Sequence, residues 1–133
     1  MKLKFLFLAL LFCFLSFGQT NEKITTIETV EILNGNDDEA IYYFQNNWKQ
    51  LRINAVEKGY IESFQFLKTS YSKETPFHLL LITTYSDKAQ YDKREAHFQE
   101  LIKAKGRLKL LNDKEPSEFR TSVFAVEGAR HLE

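Results

Sequence analysis

The chain has 133 residues, with 18 basic and 18 acidic side chains and a formal charge of +0. This length favours a single domain, and balanced charge gives no strong field to recruit nucleic acid or anionic membrane. Cys13 is the one cysteine, which excludes an internal disulfide framework and a Cys-type metal centre.

Met1-Lys2-Leu3-Lys4 is a short basic start, Phe5 to Phe17 is almost wholly apolar, and Gly18-Gln19 follows. A charged start, an apolar run of this length and a small residue before polar sequence describe a secretory signal peptide. The run falls short of the roughly 20 residues of a spanning helix. Phe12 stands before Cys13 where a lipoprotein carries a small residue, which argues against lipidation. The expectation is a signal peptide over 1–18, cleaved near Gly18-Gln19, and a single domain over 19–133. The domain is then exported to a periplasm or secreted, with no stable membrane insertion after cleavage. Losing Lys2 and Lys4 leaves 16 basic against 18 acidic side chains.

Ile24 to Leu33 is rich in Ile, Val and Thr and predicts a strand. Asn34 to Asp38 is turn chemistry, with Asp37 or Asp38 as the cap of the next helix. Ile41, Phe44, Trp48, Leu51 and Ala55 recur at spacings of three and four, one apolar helical stripe with Trp48 facing the core. Lys58 in the last turn and Gly59 after it suit a helix C-terminus. Tyr60 to Thr69 predicts a second, inner strand, with Tyr60, Glu62, Phe64 and Phe66 on one parity. Lys73 to Pro76 makes a turn. Phe77 to Tyr85 predicts a central strand covered on both faces. Ser86 or Asp87 caps a second helix running to Lys105, with the stripe Tyr91, Arg94, Phe98, Leu101 and Ile102. Leu108–Leu111 has no assignable type, 112–117 reads as loop, Phe119 to Val126 as the last strand, and 128–133 as a tail.

The order β-α-β-β-α-β is the ferredoxin-like arrangement, an α+β fold with one antiparallel sheet and both helices on one face. Alternation along the third strand puts Leu80 and Ile82 on the other face. An apolar open face predicts a partner, and a homodimer pairing two such sheets is the simplest one.

The pattern Tyr43-Phe44, Trp48, Leu51-Arg52, Gly59-Tyr60-Ile61 followed by a central apolar strand resembles the dimeric α/β-barrel superfamily. That resemblance implies ferredoxin-like protomers whose sheets close into a shared barrel. Its branches include antibiotic-biosynthesis-type monooxygenases, haem-degrading enzymes and muconolactone isomerase-like proteins. No catalytic motif of a named branch matches residue by residue, so the resemblance implies no catalytic residue. One fold hosts many activities.

Candidate ligand-contacting residues are His78, Tyr60, Glu62, Phe64, Tyr85 and Arg52. His78 alternates opposite to Leu79 and Leu81, toward the barrel interior, where an imidazole could act as base, hydrogen-bond donor or ligand. Glu62 is the one strand carboxylate with a path to the interior. Tyr60, Phe64 and Tyr85 are strand aromatics able to flank a flat ligand. Arg52, one place past the stripe, could anchor an anion through its planar fork. Glu95, His97 and Glu100 are too few for a metal centre, and no phosphate loop, serine elbow or paired-carboxylate motif is present. No metal or cofactor is expected. Together with the resemblance, these residues lead to the expectation of a homodimeric barrel binding a small apolar or aromatic ligand in the cavity between sheet and helices. The alternatives are a cofactor-independent monooxygenase- or isomerase-like enzyme using His78, and a filled barrel with a structural role.

Overall fold

A computed structural model describes residues 22–132; the expected signal peptide over 1–18 lies outside the described residues. The order is β1 (Ile24–Ile32), α1 (Asp37–Tyr43), a π-helical turn (Phe44–Trp48), α2 (Lys49–Glu57), β2 (Ser63–Lys68), β3 (Leu79–Tyr85), α3 (Lys88–Asp92), α4 (Arg94–Lys105), α5 (Pro116–Phe119) and β4 (Arg120–Arg130). The architecture is α+β. Its one four-stranded sheet has the order β2-β3-β1-β4, and every neighbouring pair is antiparallel. Among the described residues no helix is long and apolar enough to cross a membrane.

Local chemistry sets most boundaries. Gly59 takes φ 70°, and Gly59 N–H donates to Val56 O while Tyr60 N–H donates to Ala55 O at 2.8 Å. That pair of bonds is a Schellman ending, which favours glycine at the left-handed position. The turn costs three residues, so β2 starts at Ser63 rather than Tyr60, and pairing with β3 begins when Glu62 N–H donates to Thr84 O. Tyr60 and Glu62 therefore precede the strand, and β2 is an edge strand rather than an inner one. At the second helix Asp87 caps as expected. Its carboxylate accepts from Gln90 N–H at 2.8 Å, and the Gln90 amide oxygen accepts from Ser86 N–H at 2.8 Å. In the first helix Asn36, not Asp37 or Asp38, holds the cap position; the two acids sit inside the first turn, where they complement the helix dipole.

Other boundaries differ from expectation. The first helix widens into one π turn, with Lys49 N–H donating to Phe44 O. Asn46 and Asn47 turn their amides back onto the Tyr42 and Tyr43 carbonyls, both at 2.9 Å. The second helix breaks at Lys93, where Arg94 Nη1 bonds the Tyr91 carbonyl at 3.0 Å. The expected 112–117 loop ends in α5, whose Glu115 and Glu118 cap reciprocally around Pro116. The expected tail joins β4 through Arg130, because Gly128 (φ 71°) sits where the register with β1 shifts. Leu108–Leu111 has no regular structure; the buried Asn47 amide pins it through both Lys109 N–H and Lys109 O.

The core lies between the helices and one sheet face. Val30, Ile32, Phe44, Leu79, Leu81 and Phe119 form one cluster. Leu51, Ala55, Ile61, Tyr85 and Leu101 form the other. β3 is central, but in the protomer only one of its faces is sealed: Leu79, Leu81, Thr83 and Tyr85 are buried, while Leu80, Ile82 and Thr84 are half-buried. The register places the other face at Thr25, Ile27 and Thr29 on β1, Leu80, Ile82 and Thr84 on β3, Ser63, Gln65 and Leu67 on β2, and Phe124, Val126 and Ala129 on β4. None of these twelve side chains carries a formal charge. Charged residues stand at the margins, with Glu31 at one end and Lys23, Glu62 and Arg130 at the other.

Candidate functional site

The helical layer does not cover the whole sheet. α4 packs on α2, while Ala125 and Glu127 on β4 remain exposed. The gap is a cleft of about 390 Å³. Its floor is Thr26 and Glu28 of β1, Thr83 and Tyr85 of β3, and Ala125 and Glu127 of β4; its roof is Trp48 and Arg52 from the first helical stretch and Arg94, Glu95, Phe98 and Ile102 from α4.

Arg52 is the centre of this cleft. Its guanidinium carbon lies 4.5 Å from the Trp48 ring centroid and 4.2 Å from that of Phe98. Trp48 and Arg52 are one turn apart on the same helical face, and Phe98 comes across from α4. A cation stacked on an aromatic face gains on the order of 0.5–2 kcal/mol, more when water is excluded. Nε donates to Thr83 Oγ1 at 3.3 Å. Among the described residues no carboxylate lies within ion-pair distance of this guanidinium. Burial lowers its pKa to about 10, with the Tyr85 phenol and the Glu28 carboxylate opposing that shift, so it stays cationic at neutral pH. Tyr85 is buried beside it, and burial pushes its phenol up against the pull of Arg52 and Arg94; it is a neutral donor at neutral pH.

The second arginine is already engaged. Arg94 stacks on Tyr91 at 3.9 Å, and its Nε lies 3.9 Å from the Glu127 carboxylate. Glu28 accepts from Ser122 Oγ at 2.5 Å. The cleft thus has an aromatic rim, one cation with free valence and several carboxylates. A small polar molecule with a flat face fits that chemistry.

The six sequence candidates do not form one site. Arg52 and Tyr85 line the cleft, and Phe64 packs edge-on behind Trp48 with centroids 5.8 Å apart. Tyr60 stacks on His97 at 3.7 Å and donates to the Glu100 carboxylate at 3.0 Å, just past the C-terminus of α2 and against the body of α4. Glu62 is exposed and ion-paired to Lys23 at 2.8 Å. It borders a shallower hollow on the open sheet face, where Thr25 Oγ1 meets His131 Nε2 at 2.7 Å. His78 lies before β3, not on it. Its Nδ1 accepts from Ile32 N–H at 2.9 Å, and its ring lies against Tyr71. There the imidazole stands in for a ladder carbonyl at the end of β1, and it is not among the residues lining the cleft.

Sequence reasoning missed Glu28, Arg94, Phe98 and Glu127 as cleft residues. Two signals were present. Glu28 shares the parity of Ile24, Val30 and Ile32, a carboxylate on the core-facing side of a strand. Arg94 is a cation on an apolar helical stripe. Among the described residues no group of three His, Asp, Glu or Cys side chains is placed to hold a metal.

Comparison with protein-family models and with curated proteins gives no match. Among solved structures, the crystal structure of HapK from Hahella chejuensis aligns over 82% of this chain and 92% of that chain, at 15% identity and a TM-score of 0.49.

Proposed function

We propose that this chain is an exported ferredoxin-like protomer of a homodimeric α/β barrel that holds a small aromatic ligand in the cleft between sheet and helices. Three things support it. The strand order β2-β3-β1-β4 is what a split β-α-β pair produces. The uncharged sheet face with charged margins has the composition of an interface with a polar rim. The cleft is built from Trp48, Phe98 and Tyr85 around Arg52.

The observation that carries the ligand assignment is Arg52. A guanidinium held between two rings, with a single hydrogen bond, is expensive to desolvate without a partner. A structural arginine more often pairs with an acid; among the described residues Arg52 has no carboxylate partner, and its one hydrogen bond is from Nε to Thr83. The test is a titration of isotope-labelled protein with a set of small arenes, followed by NMR. The Trp48 indole N–H and the Arg52 Nε–H should shift together and saturably, with the His78 ring signals unchanged. Shifts confined to His78 or to the open sheet face would refute the assignment.

A further inference from the structure

The cleft carries a charge pattern that narrows its ligand. Its walls hold two guanidiniums, Arg52 and Arg94, against three carboxylates, Glu28, Glu95 and Glu127. Arg94 faces Glu127 at 3.9 Å, which leaves Arg52 as the available cation and Glu28 as the inward-facing anion; Glu95 is exposed. A bare anion would meet an excess of negative charge, and a bare cation would meet Arg52. A molecule carrying both charges avoids both penalties.

The two poles are placed for such a molecule. Arg52 sits over Thr83 on β3. Glu28 stands on the adjacent strand opposite Leu81, one step along from Thr26, the partner of Thr83. Arg52 and Glu28 feel each other's field but are not within 4.0 Å, the ion-pair limit. Buried polar atoms without a hydrogen-bond partner occur at His97 Nδ1 and Arg120 Nε, not at Arg52; since only Nε of Arg52 makes a hydrogen bond, its terminal nitrogens open toward solvent in the cleft. Tyr85 and, from α4, Phe98 and Ile102 line the same cleft.

Resting as it does on the assignment of the cleft as a ligand site, we infer that the ligand is a small aromatic zwitterion, its carboxylate on the Arg52 fork and its ammonium on Glu28. The planar fork matches a carboxylate with two parallel bonds. The Glu28 carboxylate, already fixed by Ser122, has lone pairs left for an ammonium. A flat ring beside Trp48 and Phe98 completes the aromatic wall.

Trp48 is the only tryptophan of the chain and lines the cleft, so its emission reports occupancy. The test compares three probes on the purified full protein: L-phenylalanine, 3-phenylpropionate (no ammonium) and phenethylamine (no carboxylate). L-Phenylalanine should change Trp48 emission saturably and bind at least about tenfold more tightly than either analogue, since each analogue leaves one charged group unpartnered. Glu28→Gln should erase the preference over 3-phenylpropionate and keep that over phenethylamine. Arg52→Gln should do the reverse, with Arg52→Lys keeping part of the effect should the Gln variant fold poorly. Equal or tighter binding of 3-phenylpropionate or of phenethylamine overturns the zwitterion inference and leaves the cleft as a ligand site. If none of the three acts but neutral indole does, the outcome is the same. If no small arene acts on the folded protein, both the inference and the ligand site fail.

Discussion

Single side chains here substitute for backbone partners, and their loss should be disproportionate to their size. Thr29 is fully buried on β1. Its hydroxyl donates to Phe124 O at 3.0 Å and accepts from Phe124 N–H at 3.1 Å, where the β1–β4 register shifts between Thr29 and Val30. Thr29→Val keeps the shape and strands both backbone groups, so it should lower unfolding stability by about 1–3 kcal/mol; chemical denaturation measures it, and a loss below a few tenths would show that water replaces the hydroxyl. His78 plays a similar part toward Ile32 N–H. Neither role was legible in the sequence, because parity assigns a side chain to a face but not to a bulge or a strand end. Arg52 was legible as a candidate through its place beside the apolar stripe. Its stacking on Phe98 was not, since that depends on how α4 crosses α2.

At the scale of elements, the helices hold each other through a small charged cluster as well as through Leu51, Ala55 and Leu101. Glu100 on α4 accepts from Lys58 Nζ at 2.8 Å and from the Tyr60 hydroxyl. The Lys58 bond first, then the Tyr60 bond, holds the Glu100 carboxyl below its ordinary value. A carboxyl depressed on folding stabilises the protein fully above its unfolded pKa, about 4.3, and loses that contribution as pH falls through the folded value. Glu100→Gln should therefore lower Tm at pH 7, and the difference should close as the pH falls below about 4. A gap of equal size at about pH 3 would mean that the carboxylate's charge is not what joins α2 to α4. The helix and its glycine stop were readable from spacing and from Gly59. The π turn was not, because its signal is a backbone bond from Lys49 to Phe44 that no side-chain pattern announces. The late start of β2 has a similar origin: the Schellman turn consumes Tyr60 and Ile61 before Glu62 reaches Thr84.

The whole molecule is a two-layer protein with one layer uncovered. A sheet hydrophobic on one side and helix-covered on the other still exposes its second face, and stable domains bury that face against something. Phe124 is 48% exposed, Leu67 44% and Val126 38%, and these three ring a centre of Ile27, Leu80 and Ile82. A second copy brings the same uncharged surface and the same charged ends, which a two-fold axis can satisfy. The alternation of Leu80 and Ile82 announced this face in the sequence; a ligand cavity between sheet and helices was expected on the other, but its place beside β4 was not legible, since it depends on how far α4 reaches across the sheet. Native mass spectrometry of the protein purified from its own cells tests dimer and ligand together. The prediction is a mass of two chains carrying a bound small molecule, with Ile82→Glu shifting the protein to the mass of one chain. Wild-type protein that stays a single, unliganded chain at tens of micromolar (about the range in which a modest interface is populated) would contradict it.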